Sequence, residues 1–194
     1  MKHLKIMGLA VVAATAFMAF AGAGSASAAP TLTSPAGTAY TGELHATAES
    51  SLLLKATFSN VTCTESTLLG HVTVNNSTHA EGPITALTFG NCGVNHPVLV
   101  TKGTITINQK TEVFSSNTVV SIKNTSLGIT CAYGTTTNTK IGTWTQVGET
   151  GTIDISASLG YVGSPHSTGS AFACGNGTWS GSYWVTKPDP AFSV

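Results

Sequence analysis

The sequence predicts an all-β fold, an antiparallel β-sandwich or barrel-like domain of roughly a dozen short strands held by two disulfides. Three observations lead there. Apolar and polar residues alternate with period two in one segment after another, and Gly, Asn and Ser clusters separate the segments. No stretch after residue 29 sustains a helical period. Four cysteines, an even number, follow a leader of the exported kind.

The leader comes first. Lys2, His3 and Lys5 form a basic start, residues 6–20 (IMGLAVVAATAFMAF) an uncharged apolar centre, and Ala26-Ser27-Ala28 an A-x-A cleavage site. The apolar run falls short of the ~20 residues that a membrane-spanning helix needs. Residues 1–28 are therefore expected to be a signal peptide, and 29–194 a single secreted β-domain of about 166 residues, enough for a real core. No Cys adjoins the cleavage site to carry a lipid, and no apolar tail appears at the C-terminus.

Strand signals fill the rest. In Leu52-Leu-Leu-Lys-Ala-Thr-Phe58, residues Leu52, Leu54, Ala56 and Phe58 share one face and Lys55 and Thr57 the other. Thr104-Ile-Thr-Ile-Asn108 sets Ile105 and Ile107 inward in the same way. Ile153, Ile155, Ala157 and Leu159 alternate with Asp154, Ser156 and Ser158. Trp179, Gly181, Tyr183 and Val185 alternate with Ser180, Ser182 and Trp184.

An internal echo runs through the domain. Val61-Thr-Cys63-Thr resembles Ile129-Thr-Cys131-Ala, each precedes a Thr-rich turn and a Gly-containing strand, and a second Cys closes a strand in each half (Cys92, Cys174). Two related halves, about 34–114 and 115–188, would explain the echo, as would chance in a chain this rich in Thr and Gly. Four cysteines allow three pairings. The echo favours Cys63–Cys92 and Cys131–Cys174, and loops of that size would contribute about 3–4 kcal/mol each by chain entropy. No CxxC spacing suggests zinc or redox chemistry.

Composition excludes several partners. Only 8% of residues are charged, against about 25% in an ordinary soluble domain. Arg is absent, and after the leader six Lys (55, 102, 110, 123, 140, 187) face eight acids. Binding of a nucleic-acid backbone needs clustered cations, so nucleic acid is not an expected partner. Nor is a polybasic membrane contact. Thr, Ser, Gly and Asn take the place of charges, giving a surface that hydrogen-bonds widely without a strong field. Asn60, Asn75, Asn76, Asn124 and Asn176 each open an Asn-x-Ser/Thr triplet.

The run Ser34-Pro-Ala-Gly-Thr-Ala-Tyr-Thr-Gly42, then Ile-Thr-Ala-Leu-Thr-Phe89 with Asn-Cys92, Thr-Cys-Ala-Tyr-Gly134 and Trp179-Ser-Gly-Ser-Tyr183-x-Val-Thr-x-Pro188 resembles a set of small, uncharacterised secreted all-β proteins of actinobacteria. The shared residues are strand and turn chemistry. The resemblance implies a secreted all-β protein with paired cysteines and carries over no activity.

Site chemistry is sparse. Glu43, His45, Thr47 and Glu49 alternate, so a strand would place them on one face as an acid/base or metal set, or as an outward polar row opposite Leu44, Ala46 and Ala48. His71, Thr73 and Asn75 form a second polar row, while His79, His96 and His166 sit in loop-like surroundings without metal-ligand spacing. No G-x-S-x-G occurs, and only Asp154 and Asp189 could serve as the acid of a Ser-His-Asp set. Neither a catalytic residue, a metal site nor a cofactor is expected. Among Trp144, Trp179, Tyr183 and Trp184, the last points away from the face that Trp179 and Tyr183 share, which makes Trp184 the candidate ligand-binding aromatic. The expected function is a secreted or cell-surface, non-enzymatic β-domain, structural, adhesive or ligand-binding, with cell-surface or glycan contact. The alternatives are an outer-envelope β-barrel or pore, and a secreted hydrolase.

Overall fold

The computed structural model describes residues 31–34, 38–57, 59–147, 150–187 and 191–192. The expected leader lies outside them, as do Phe58, Glu149 and Asp189. The described residues form β1 (Leu32–Thr33), β2 (Gly42–Ala48), β3 (Leu52–Ala56), β4 (Ser59–Cys63), β5 (Glu65–Val72), β6 (Val74–Asn75), β7 (His79–Gly90) and β8 (Pro97–Thr101). There follow β9 (Thr104–Asn108), β10 (Glu112–Ser116), β11 (Val119–Asn124), β12 (Ile129–Gly134), β13 (Thr139–Val147), β14 (Thr150–Val162), the single helical turn α1 (Ala171–Cys174), β15 (Gly177–Lys187) and β16 (Ala191–Phe192).

Antiparallel pairing runs β15-β2-β5-β7-β9-β10-β13-β14, and β14 pairs back onto β15, so eight strands close into a barrel. Closure removes the free edges that an open sheet of this composition would expose. The period-two pattern supplies the inside. Ile153, Ile155, Ala157 and Leu159 of β14 are buried, and Asp154, Ser156 and Ser158 between them are exposed. Trp144 on β13 and Tyr183 on β15 are the largest side chains at the centre.

Two strands extend past the barrel and carry the remainder. The first residues of β15 pair with the β3–β4 hairpin (Thr178↔Lys55, Ser180↔Leu53), while its later residues pair with β2. The last residues of β14, Gly160, Tyr161 and Val162, pair with β12, which begins a small sheet β12-β11-β8. The core continues into this lobe without a break, since Ile122, Tyr133 and Cys174 belong to the same buried cluster as Trp144.

The two disulfides are Cys63–Cys92 and Cys131–Cys174, the favoured pairing. Cys174 does not close a strand as expected. Ala171–Cys174 is one turn of helix, with Ser170 as N-cap accepting from Ala173 N.

Strand lengths also differ from expectation. β7, β14 and β15 run to 12, 13 and 11 residues, where short segments were anticipated. Glycines that read as breaks are places where neighbouring backbone comes close. A Cβ on Gly82 would stand 1.7 Å from the carbonyl oxygen of His71, so only glycine lets β7 continue there.

One mouth of the barrel is plugged. Leu32 is fully buried among Tyr40, Val72 and Ala80. Asn75 holds the plug in place, donating from Nδ2 to the carbonyls of Leu32 (2.6 Å) and Tyr40 (2.8 Å) and accepting from Leu32 N (3.1 Å).

Candidate functional site

The barrel interior is filled. Beneath the plug lies an apolar void of about 30 Å³ between Leu32, Leu68, Ile107 and Val185, and a second of about 20 Å³ lies between Ile84, Ile155 and Trp179. Ligand pockets hold roughly 300–1,000 Å³; these voids match a single water. Neither void is large enough to take a ligand, which turns attention to the outside wall of the barrel.

Trp184 is on that wall. Its neighbours in sequence, Tyr183 and Val185, are buried in the core, which sends the indole outward, half-buried. Register sets its surroundings. Trp184 pairs with Thr47 on one side and Thr152 on the other; Thr47 pairs with Thr67, and Thr152 with Thr145. The outcome is a cross-strand row, Thr67–Thr47–Trp184–Thr152–Thr145, with strands ~4.8 Å apart. Two residues along, at a diagonal of roughly 7–8 Å, Ser182 Oγ donates to Asp154 Oδ1 at 2.7 Å. Ser156 and Ser180 continue the outward hydroxyl face as a further cross-strand pair. Sequence parity pointed to Trp184 but not to this row of hydroxyls, which is brought together by the pairing of five strands.

The acid/histidine row of β2 faces outward as well. Glu43, Thr47 and Glu49 are exposed, and Leu44, Ala46 and Ala48 turn inward. His45 Nε2 and Glu43 Oε2 approach to 3.4 Å, with Glu43 largely solvated and His45 partly so, an arrangement worth little energetically. Glu43 also sits opposite His71 on β5. Among the described residues no group of three His, Cys, Asp or Glu is arranged to hold a metal. Of the second polar row, His71 and Thr73 are exposed, whereas Asn75 is the clamp of the plug. His79 opens β7, with its Nδ1 2.9 Å from Thr78 Oγ1, while His96 and His166 lie in loops.

Perturbed ionisation here follows packing. Burial raises the Tyr183, Tyr133 and Tyr40 phenols above the ordinary range; for Tyr183 a hydrogen bond with Ser66 offsets part of that, and for Tyr40 the nearby Glu43 charge adds to it. Hydrogen bonds from Lys140 and Asn108 hold the half-buried Glu112 carboxyl below the usual carboxylate range. Tyr183 O–H donates to Ser66 Oγ (2.8 Å), whose own O–H donates to the carbonyl of Thr88 (2.5 Å), a relay that crosses the core.

Compared with protein-family models, curated proteins and solved structures, the chain matches none.

Proposed function

We propose that the chain is an exported, non-enzymatic recognition module whose outer barrel wall takes an uncharged polyhydroxyl ligand, a carbohydrate chain, across Trp184. The observation that carries this reading is the Thr67–Thr47–Trp184–Thr152–Thr145 row. An indole face stacks on the apolar face of a sugar ring, and flanking hydroxyls with the Asp154–Ser182 pair exchange hydrogen bonds with its rim. The near absence of charge suits a neutral polymer. Two disulfides fit an oxidising, non-cytoplasmic environment.

The polarity of the barrel favours this reading over an envelope pore. A membrane barrel is apolar outside and polar within, whereas here Trp144 and Ile153 face inward and Asp154, Ser156 and Ser158 outward.

The test is a panel of soluble polysaccharides screened by affinity electrophoresis, followed by calorimetry on the best ligand. Trp184→Ala should weaken binding about tenfold or more, as loss of a stacking aromatic worth over ~1.4 kcal/mol requires. Trp184→Phe should retain part of the affinity. Affinity indifferent to Trp184, or hydrolysis abolished by replacing Glu43, His45 or Glu49, would overturn the reading.

A further inference from the structure

The Thr152–Trp184 pair is the first of eight consecutive pairs between β14 and β15, the last being Leu159–Gly177. Tyr183 and Trp179 on β15 are buried, so Ser182, Ser180 and Thr178 face outward on the same side as Trp184. Their partners on β14 are Asp154, Ser156 and Ser158, all exposed. Beyond the indole, therefore, lies a low floor. No side chain on it is larger than threonine or aspartate, and each carries an oxygen that can exchange hydrogen bonds. From Trp184 to Thr178 the floor measures about 20 Å at ~3.4 Å per residue, room for several sugar rings.

Curvature decides which way a bound chain can run. Eight strands close the barrel, so each step to the next strand turns the wall by roughly 45°. The row Thr67–Thr47–Trp184–Thr152–Thr145 takes four such steps and bends around roughly half the barrel. A stiff chain stacked on Trp184 can follow that row no further than Thr47 and Thr152. Along the strands the wall runs straight, apart from the strands' own gentle twist. The β14–β15 ladder begins at the Trp184 pair, so the floor leaves the indole in one direction, toward Thr178.

Linkage then decides which chains fit. An equatorially linked glucose chain is an extended ribbon, with apolar ring faces and hydroxyls along both rims. An axially linked chain of the same sugar curls. The ribbon can stack one ring on Trp184 and keep its following rings on the hydroxyl floor, whereas the curled chain lifts away after the ring on the indole. Asp154 is the one charged side chain on the floor, which suits an uncharged chain over an acidic one.

We propose that the Trp184 site takes an extended, equatorially linked neutral glycan that lies along β14 and β15, from Trp184 toward Thr178. This inference rests on the carbohydrate reading and adds to it the shape and the direction of the bound chain.

Calorimetry of the exported chain with cello-oligosaccharides and with malto-oligosaccharides, each from disaccharide to hexasaccharide, tests it. The two series share one sugar and differ in linkage. Affinity for the cello series should rise about tenfold with length, as one or two further net hydrogen bonds imply, while the malto series should stay at the level of its disaccharide. Ser156→Leu, at an exposed position midway along the floor, should abolish the rise while the thermal midpoint holds. Affinity independent of length, an equal rise in the malto series, or a rise lost in Thr67→Leu instead of Ser156→Leu overturns the proposed shape and direction and leaves stacking on Trp184 standing. Binding of neither series also overturns the proposal; the carbohydrate reading itself falls with it if the polysaccharide panel is empty too.

Discussion

The relay from Tyr183 through Ser66 to Thr88 makes an ordered prediction. Removing the phenolic hydroxyl in Tyr183→Phe leaves Ser66 still donating to the Thr88 carbonyl, so it should cost about 1 kcal/mol, the net worth of one buried hydrogen bond. Ser66→Ala is worse. It strips the donor from Thr88 and leaves the Tyr183 hydroxyl buried without its acceptor, an expected loss of about 1–3 kcal/mol. The double substitution removes the orphaned hydroxyl as well and should cost less than the two single losses added together. Urea unfolding of the four proteins at neutral pH measures this cycle.

The pH dependence has a fixed sign. Burial raises the Tyr183 phenol in the folded state above its unfolded value of about 10. The native state therefore keeps a proton that the unfolded chain releases, and stability must fall as pH rises. This contribution is intact below about pH 10 and declines above it, until the folded phenol itself ionises. Tyr183→Phe should flatten the alkaline decline, leaving the shallower share of Tyr133 and Tyr40, which are also raised. Additive single losses, or an alkaline slope unchanged in Tyr183→Phe, would refute the relay.

Two further perturbations act on backbone geometry. A Cβ at Gly151 would meet the indole of Trp144 at 2.4–2.5 Å, so Gly151→Ala should displace a fully buried ring and cost about 1–3 kcal/mol by overpacking, visible as a lowered thermal midpoint with altered near-ultraviolet dichroism. Thr111 holds φ 60° while its carbonyl accepts from Trp144 N; a β-branched residue is strained there, and Thr111→Asn should stabilise by about 0.5–1 kcal/mol in chemical denaturation.

Local alternation carried much of the fold into the sequence. The inward sets of β3, β9, β14 and β15 are legible from parity alone, because a strand's faces follow from the covalent chain. What parity could not convey is which strands meet. The last three residues of β14 look like an exposed continuation, yet they seed the β12-β11-β8 lobe through pairing with residues nearly thirty positions earlier. Asn75 read as part of an outward polar row because its partners, Leu32 and Tyr40, lie on a plug with no periodic signature. The turn at Ala171–Cys174 is too short for any helical period, and only its Ser170 cap marks it. Trp184 was identifiable as outward-facing; its threonine neighbours depend on the registers of four other strands.

The pairing that closes the barrel also dictates when the barrel can exist. β15 is bound to the turn that follows β2 (Ser182 N to Ser50 Oγ) and to β5 (Tyr183 with Ser66) by contacts between residues 132 and 117 positions apart. A chain emerging N-terminus first can assemble β2, β5 and β7 by short hairpin connections. It remains an open, curled sheet until the closing strand arrives, and both its edges are unpaired during that interval. Cys63 and Cys92 can join early, within the first hairpins, whereas Cys131 must await Cys174, only three residues before β15 begins. Maturation thus depends on a late event near the C-terminal end, and a chain cut short before β15 would be left with the sticky edges that the finished barrel conceals.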